Sequence, residues 1–155
     1  MNRYHERVWP SAWMFIAALL VIPATVLVFL RINVWVGVFL GIAIYAGYVA
    51  LLIVASPVVE VSNRQLRVGS ARIPLTVTGD VTAYSTREAA RVAAGPDLDA
   101  RAWLCLRGWA PTSARVDVTD PVDPVPYWLF STRNPDAVRA AIEAARATQA
   151  RDDLR

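Results

Sequence analysis

The chain has 155 residues, 55% of them apolar, with 16 basic side chains that are all Arg, 13 acids, one His and one Cys. Residues 58–155 hold 13 Arg against 12 acids, so this part lacks the positive surplus that a nucleic-acid binder sets against phosphates. The lone Cys105 excludes an intrachain disulfide and a Cys-based zinc site, and the lone His5 excludes a His triad or His-based metal site in the C-terminal part.

Residues 1–11 form a short flank carrying Arg3 and Arg7, expected on the cytoplasmic side. Residues 12–30 and 34–55 are then uncharged apolar runs of 19 and 22 residues, separated by Arg31-Ile32-Asn33. At about 1.5 Å rise per residue each run spans a hydrocarbon core of about 30 Å, so residues 12–56 read as a two-helix transmembrane hairpin. The first run is too long for a signal-peptide core, and no small-x-small cleavage site follows it, so it reads as a retained helix. Pro23 is expected to kink it. Trp9, Trp13, Trp35, Tyr45 and Tyr48 suit the membrane–water interfaces. Gly37 and Gly41, four apart, allow close helix approach, within the hairpin or to another subunit.

Arg placement gives the orientation. Two Arg precede the hairpin and Arg64, Arg67 and Arg72 follow it, against Arg31 alone in the loop. Both termini and the soluble domain are therefore expected in the cytoplasm, with the chain a multi-pass protein of the cell membrane.

Pro57 stops the second helix. Residues 57–149 read as one soluble domain of mainly-β, α+β class. Short strands are expected at 58–62, 65–68, 71–75 and 81–84, with Pro74 marking an edge or strand end. A helix follows at 87–94, capped by Ser85 or Thr86 and stopped by Gly95-Pro96. Three further strands are expected at 102–107, 114–119 and 127–132, giving seven short antiparallel strands. Cys105 reads as a buried strand residue. A final helix starts at Asn134-Pro135, with Val138, Ile142 and Ala145 on one apolar face that caps the sheet or barrel. Residues 150–155 read as a frayed tail.

Seven strands and a closing helix are the element order of a pleckstrin-homology-like domain. The wording Val-Glu-Val-Ser at 59–62, Leu66-Arg-Val-Gly-Ser-Ala-Arg-Ile-Pro-Leu75 and Ser131-Thr-Arg-Asn-Pro135 is similar to its bacterial versions. With Tyr4-His-Glu-Arg-Val-Trp-Pro10 and Thr119-Asp-Pro-Val-Asp-Pro-Val-Pro-Tyr-Trp128, the chain resembles a family of small actinobacterial membrane proteins; the all-Arg basic set fits such a high-GC source. That family has no assigned activity, so the resemblance implies a fold and supplies no site residues.

Chemistry is sparse. Asp120 and Asp123 lie beside Pro121 and Pro124 and read as turn formers rather than metal ligands. No Gly-rich phosphate loop is present, and no cofactor is expected. Trp109, in a connecting loop with Pro111, together with Tyr127 and Trp128, is the candidate contact surface for a protein partner. Arg107 and Arg115 are the candidates for anionic lipid headgroups. The expectation is a non-catalytic, membrane-anchored interaction module. Its partners are the lipid bilayer and either a larger membrane protein or further copies of itself. A sensor of anionic lipid heads is the alternative, and an enzyme is third.

Overall fold

The computed structural model describes residues 2–152. It divides into two units: Trp9–Ser56 is one, and the residues up to Val8 together with those from Pro57 onward form the other.

The helical unit contains α1 (Ala12–Leu19), α2 (Val21–Phe29) and α3 (Val34–Val54). The two apolar stretches, Ala12–Phe29 and Val34–Val54, have mean hydropathies of 2.5 and 2.3, long and apolar enough to cross a membrane. They are hydrophobic all round, and side chains such as Trp13, Leu27, Trp35 and Phe39 are exposed. The helix breaks at Leu20, three residues before Pro23. Pro23 has no N–H to return to Leu19, so the break places it in the first turn of α2, where that N–H is not needed. Asn33 caps α3 by accepting from Trp35 N at 2.9 Å. Gly37 and Gly41 are buried against α2. A methyl at Gly37 would lie 2.9 Å from Val26 Cα; one at Gly41 would meet the Thr25 hydroxyl and lie 2.9 Å from Ile22 Cα. The glycine pair therefore packs the hairpin against itself.

The second unit is α+β. One sheet has the order β1 (Asn2–Arg7), β2 (Val58–Ser62), β3 (Gln65–Val68), β4 (Ala71–Pro74), all antiparallel. The other has the order β5 (Thr78–Tyr84), β7 (Ser113–Val118), β8 (Tyr127–Ser131), β6 (Trp103–Cys105). A short 3-10 turn, Leu75–Val77, joins the sheets, and α4 (Arg87–Ala93) lies between β5 and β6. Pro74 ends an edge strand, as its missing donor requires. Thr86 caps α4, accepting from Ala89 N.

Three expectations are corrected. Among the described residues there are eight strands rather than seven, because residues 2–7 of the supposed flank form β1. Its sequence, Asn-Arg-Tyr-His-Glu-Arg, has no apolar alternation, so nothing in the pattern marked it. The strands are not all antiparallel: β6 joins the edge of β8 in parallel, with Trp103 opposite Trp128. The chain leaves β6 through the 106–112 connection and enters β7 on the other side of β8, which leaves β6 the parallel slot. Finally, the last helix, α5 (Pro135–Asp152), continues through 150–152, where fraying was expected; residues 153–155 lie outside the described residues.

Both sheets and α5 close one core. Val59, Val61, Leu66 and Val68 from the first sheet meet Val116 and Phe130 from the second, with Val138, Ile142 and Ala145 of α5 all fully buried. Each large side chain buried here contributes about 1.5–3 kcal/mol. Arg146 fastens α5 to the start of β5, donating to Thr78 Oγ1 at 2.7 Å and to the Gly79 carbonyl.

Gly41→Ala is expected to destabilise the helical hairpin by about 1–3 kcal/mol through overpacking. Gly47→Ala, where no atom lies within 4 Å of the added methyl, is expected to be silent. Thermal unfolding of the two variants in detergent checks the contrast.

Candidate functional site

Strand β1 lacks an apolar face, and polar contacts hold it. Arg3 Nε donates to Asn63 Oδ1 at 2.9 Å and its Nη2 to Thr148 Oγ1 at 2.6 Å, tying β1 to the β2–β3 turn and to α5. Glu6 is the hub. Its Oε2 accepts from the Tyr4 hydroxyl at 2.6 Å and from Thr132 Oγ1, and its Oε1 accepts from Arg133 N at 2.9 Å. Thr132 Oγ1 also accepts from Asn134 N. The Tyr4-x-Glu6 segment and the Ser131–Pro135 segment are thus two halves of one bonded junction. Burial, and then the hydrogen bond to the Glu6 carboxylate, push the Tyr4 phenol up to about 12.

The candidate contact residues scatter. Trp109 is half-buried against the core, and its indole N–H donates to the Val8 carbonyl at 3.1 Å. It clamps the 106–112 connection to the end of β1. Tyr127 and Trp128 are 4% and 7% exposed, so neither offers a partner much surface. Trp128 stacks on Trp103 with centroids 4.4 Å apart, and the Tyr127 hydroxyl accepts from Asp99 N. Of the four, Pro111 alone is exposed.

The headgroup candidates also part company. Arg115 pairs with Asp117 at 2.7 Å and lies 3.9 Å over the Tyr127 ring, so its charge is already engaged. Arg107 lines a cleft of about 440 Å³ between α4 and the 106–112 connection. Its amide donates to Ser131 Oγ at 2.9 Å, and Nη1 donates to the Leu106 carbonyl. Arg87 and Arg91 of α4 border the same cleft, with Ala90 and Ala94 between and beyond them on one helical face. Ser113, at the start of β7, closes it; this residue is 2% exposed and its hydroxyl has no hydrogen-bond partner among the described residues. Among the described residues no acid lines the cleft. Sequence reasoning missed Arg87, Arg91 and Ser113. The legible signal was two Arg four apart on a short helix.

Elsewhere the carboxylates serve turns. Asp120 and Asp123 accept from the amides of Val122 and Val125. Asp99 is held down at about 2 by its hydrogen bonds from Arg101. Burial pushes the Cys105 thiol up, as suits a core residue rather than a nucleophile.

A model of the family described as Protein of unknown function (DUF3093) matches residues 3–142. No curated protein and no solved structure matches the chain.

The raised Tyr4 value makes a signed prediction. The neutral phenol is favoured in the fold, so its contribution is whole below the free value of about 10 and is lost as pH rises from there to about 12. Denaturation of the full chain in detergent should show falling stability across that window. Tyr4→Phe should remove this step, and one tyrosine of the five should ionise late by absorbance.

Proposed function

We propose that this chain, which belongs to the DUF3093 family of proteins of unknown function, is a non-catalytic binding module anchored in the cell membrane by its apolar hairpin. One observation carries the reading. Strands β1 and β2 flank the hairpin in sequence and are hydrogen-bonded neighbours, with Arg7 opposite Val58 and Val8 N donating to the Pro57 carbonyl at 3.0 Å. A chain that crossed a bilayer once between these strands would separate them by its full thickness. Two crossings return it to the same side.

The Arg distribution favours the cytoplasm as that side, with both termini and the β-rich unit there. The tether then holds the module at the inner face, where it docks on a larger membrane protein or organises a complex. Pro111, on the exposed rim of the cleft, is the contact residue that remains from the sequence reading. The element order supports kinship with pleckstrin-homology-like domains; the additional strand β1 and the parallel β6–β8 pair depart from that pattern.

Cysteine labelling tests the topology. In intact cells an impermeant maleimide should modify Ile32→Cys, in the hairpin loop, and spare Ser70→Cys, in the β3–β4 turn, until the cells are opened. The reverse pattern overturns the orientation, and equal labelling of both overturns the two crossings. A chain that always leaves the membrane alone in mild detergent removes the docking role.

A further inference from the structure

We propose that the cleft between α4 and the 106–112 connection binds a phosphate monoester, through Arg87, Arg91, Arg107 and the Ser113 hydroxyl. The charge balance comes first. Three guanidinium groups border the cleft and no carboxylate does. Three other Arg side chains of this unit are matched locally, Arg101 by Asp99, Arg115 by Asp117 and Arg139 by Asp136. Arg87 and Arg91 have no such partner among the described residues.

The second observation is independent of charge. Ser113 is 98% buried, lines the cleft, and is the one hydroxyl there left without a hydrogen bond. The neighbouring hydroxyls are spoken for: Ser131 accepts from Arg107 N, and Thr112 donates to the Thr132 carbonyl at 2.6 Å. Buried polar groups are nearly always paired in native proteins, so a buried, unpaired hydroxyl on a residue that lines the cleft with three Arg points to an acceptor that arrives with the ligand. A phosphate oxygen suits both, since it takes paired N–H donors from Arg and a hydrogen bond from Ser. A dianionic monoester answers three positive charges better than a monoanionic carboxylate does.

Size and lining set the rest of the ligand. A cleft of about 440 Å³ falls in the range of small-molecule sites, larger than the phosphate alone fills. Ala90, Ala94, Leu106 and Pro111 give it apolar walls for a carbon body. A soluble sugar or glycerol phosphate and the head of a monoester lipid share this chemistry. The inference does not depend on the membrane topology, because the cleft lies wholly within the β-rich unit.

The test uses the full-length chain in phosphatidylcholine nanodiscs, titrated with glycerol 3-phosphate and followed by phosphorus NMR line width. Saturable binding is expected. Arg87→Gln and Arg91→Gln should each weaken it about tenfold, Ser113→Ala about three- to tenfold, and Arg72→Gln, on the distant edge strand β4, not at all. Repeating the titration with phosphatidic acid in the nanodisc separates the sources. Suppressed binding means that the lipid head occupies the cleft, and unchanged binding means a soluble ligand. Absent binding in the phosphatidylcholine discs, or equal weakening by Arg72→Gln and the cleft variants, overturns the proposal.

Discussion

The rest of the structure depends on the pairing of β1 with β2 across the base of the apolar hairpin. The two strands are adjacent in the sheet, yet residues 8–57 separate them in sequence. Closing so long a loop costs little more than closing a short one, since the entropy grows only with the logarithm of length. The loop is also not slack: α2 packs on α3 through Gly37 and Gly41, and this turns the chain back on itself. Helical packing brings the hairpin's ends together, and strand pairing registers them as Arg7 opposite Val58.

Strand β1 is an unusual anchor because it contributes so little apolar surface. Backbone bonds to β2 are worth about 0.5–1.5 kcal/mol each net, and hydrogen bonds to a charged group such as Glu6 about 1.5–3. The Glu6 carboxylate accepts three such bonds, from Tyr4, Thr132 and Arg133. Together with the Trp109–Val8 bond, they match the burial of about three core side chains. The polar N-terminal motif therefore has a structural role. It fixes the strand that sets both hairpin ends on one sheet, and it does so from the β8–α5 corner.

Much of the architecture was legible because its signals are periodic. Uncharged runs gave the two apolar helices, alternation gave β2 and β3, a continuous apolar run gave β8, and the Val138–Ile142–Ala145 spacing gave the buried face of α5. What failed lacked a period. The six polar residues of β1 owe their conformation to partners far along the chain, such as Asn63, Thr132 and Thr148. The parallel placement of β6 is a matter of topology, invisible in three residues that read simply as apolar. Trp109 stood out in the sequence, but composition cannot distinguish an indole that meets a partner from one that bonds Val8 of its own chain. The same limit applied to Arg115, whose pairing with Asp117 two residues on was available in the sequence and was outweighed by its charge.

The near-neutral balance of the β-rich unit hides a local inequality, and the cleft stands on that inequality. Counting 13 Arg against 12 acids suggests mutual surface pairing, and Arg101, Arg115 and Arg139 do pair within two or three residues. The remainder is not spread evenly. Arg87 and Arg91 project from one face of a two-turn helix that also carries Ala90 and Ala94, toward a wall that, among the described residues, supplies Arg107 and no acid. Solvation alone accounts for two exposed guanidinium groups at no cost. It does not account for Ser113, which is buried beside them with its hydroxyl unmatched while Ser131 and Thr112 on the same wall are satisfied. An alanine at that position would fill the strand without the penalty of an unpaired hydroxyl. The serine is therefore the residue that separates a merely basic surface from a site.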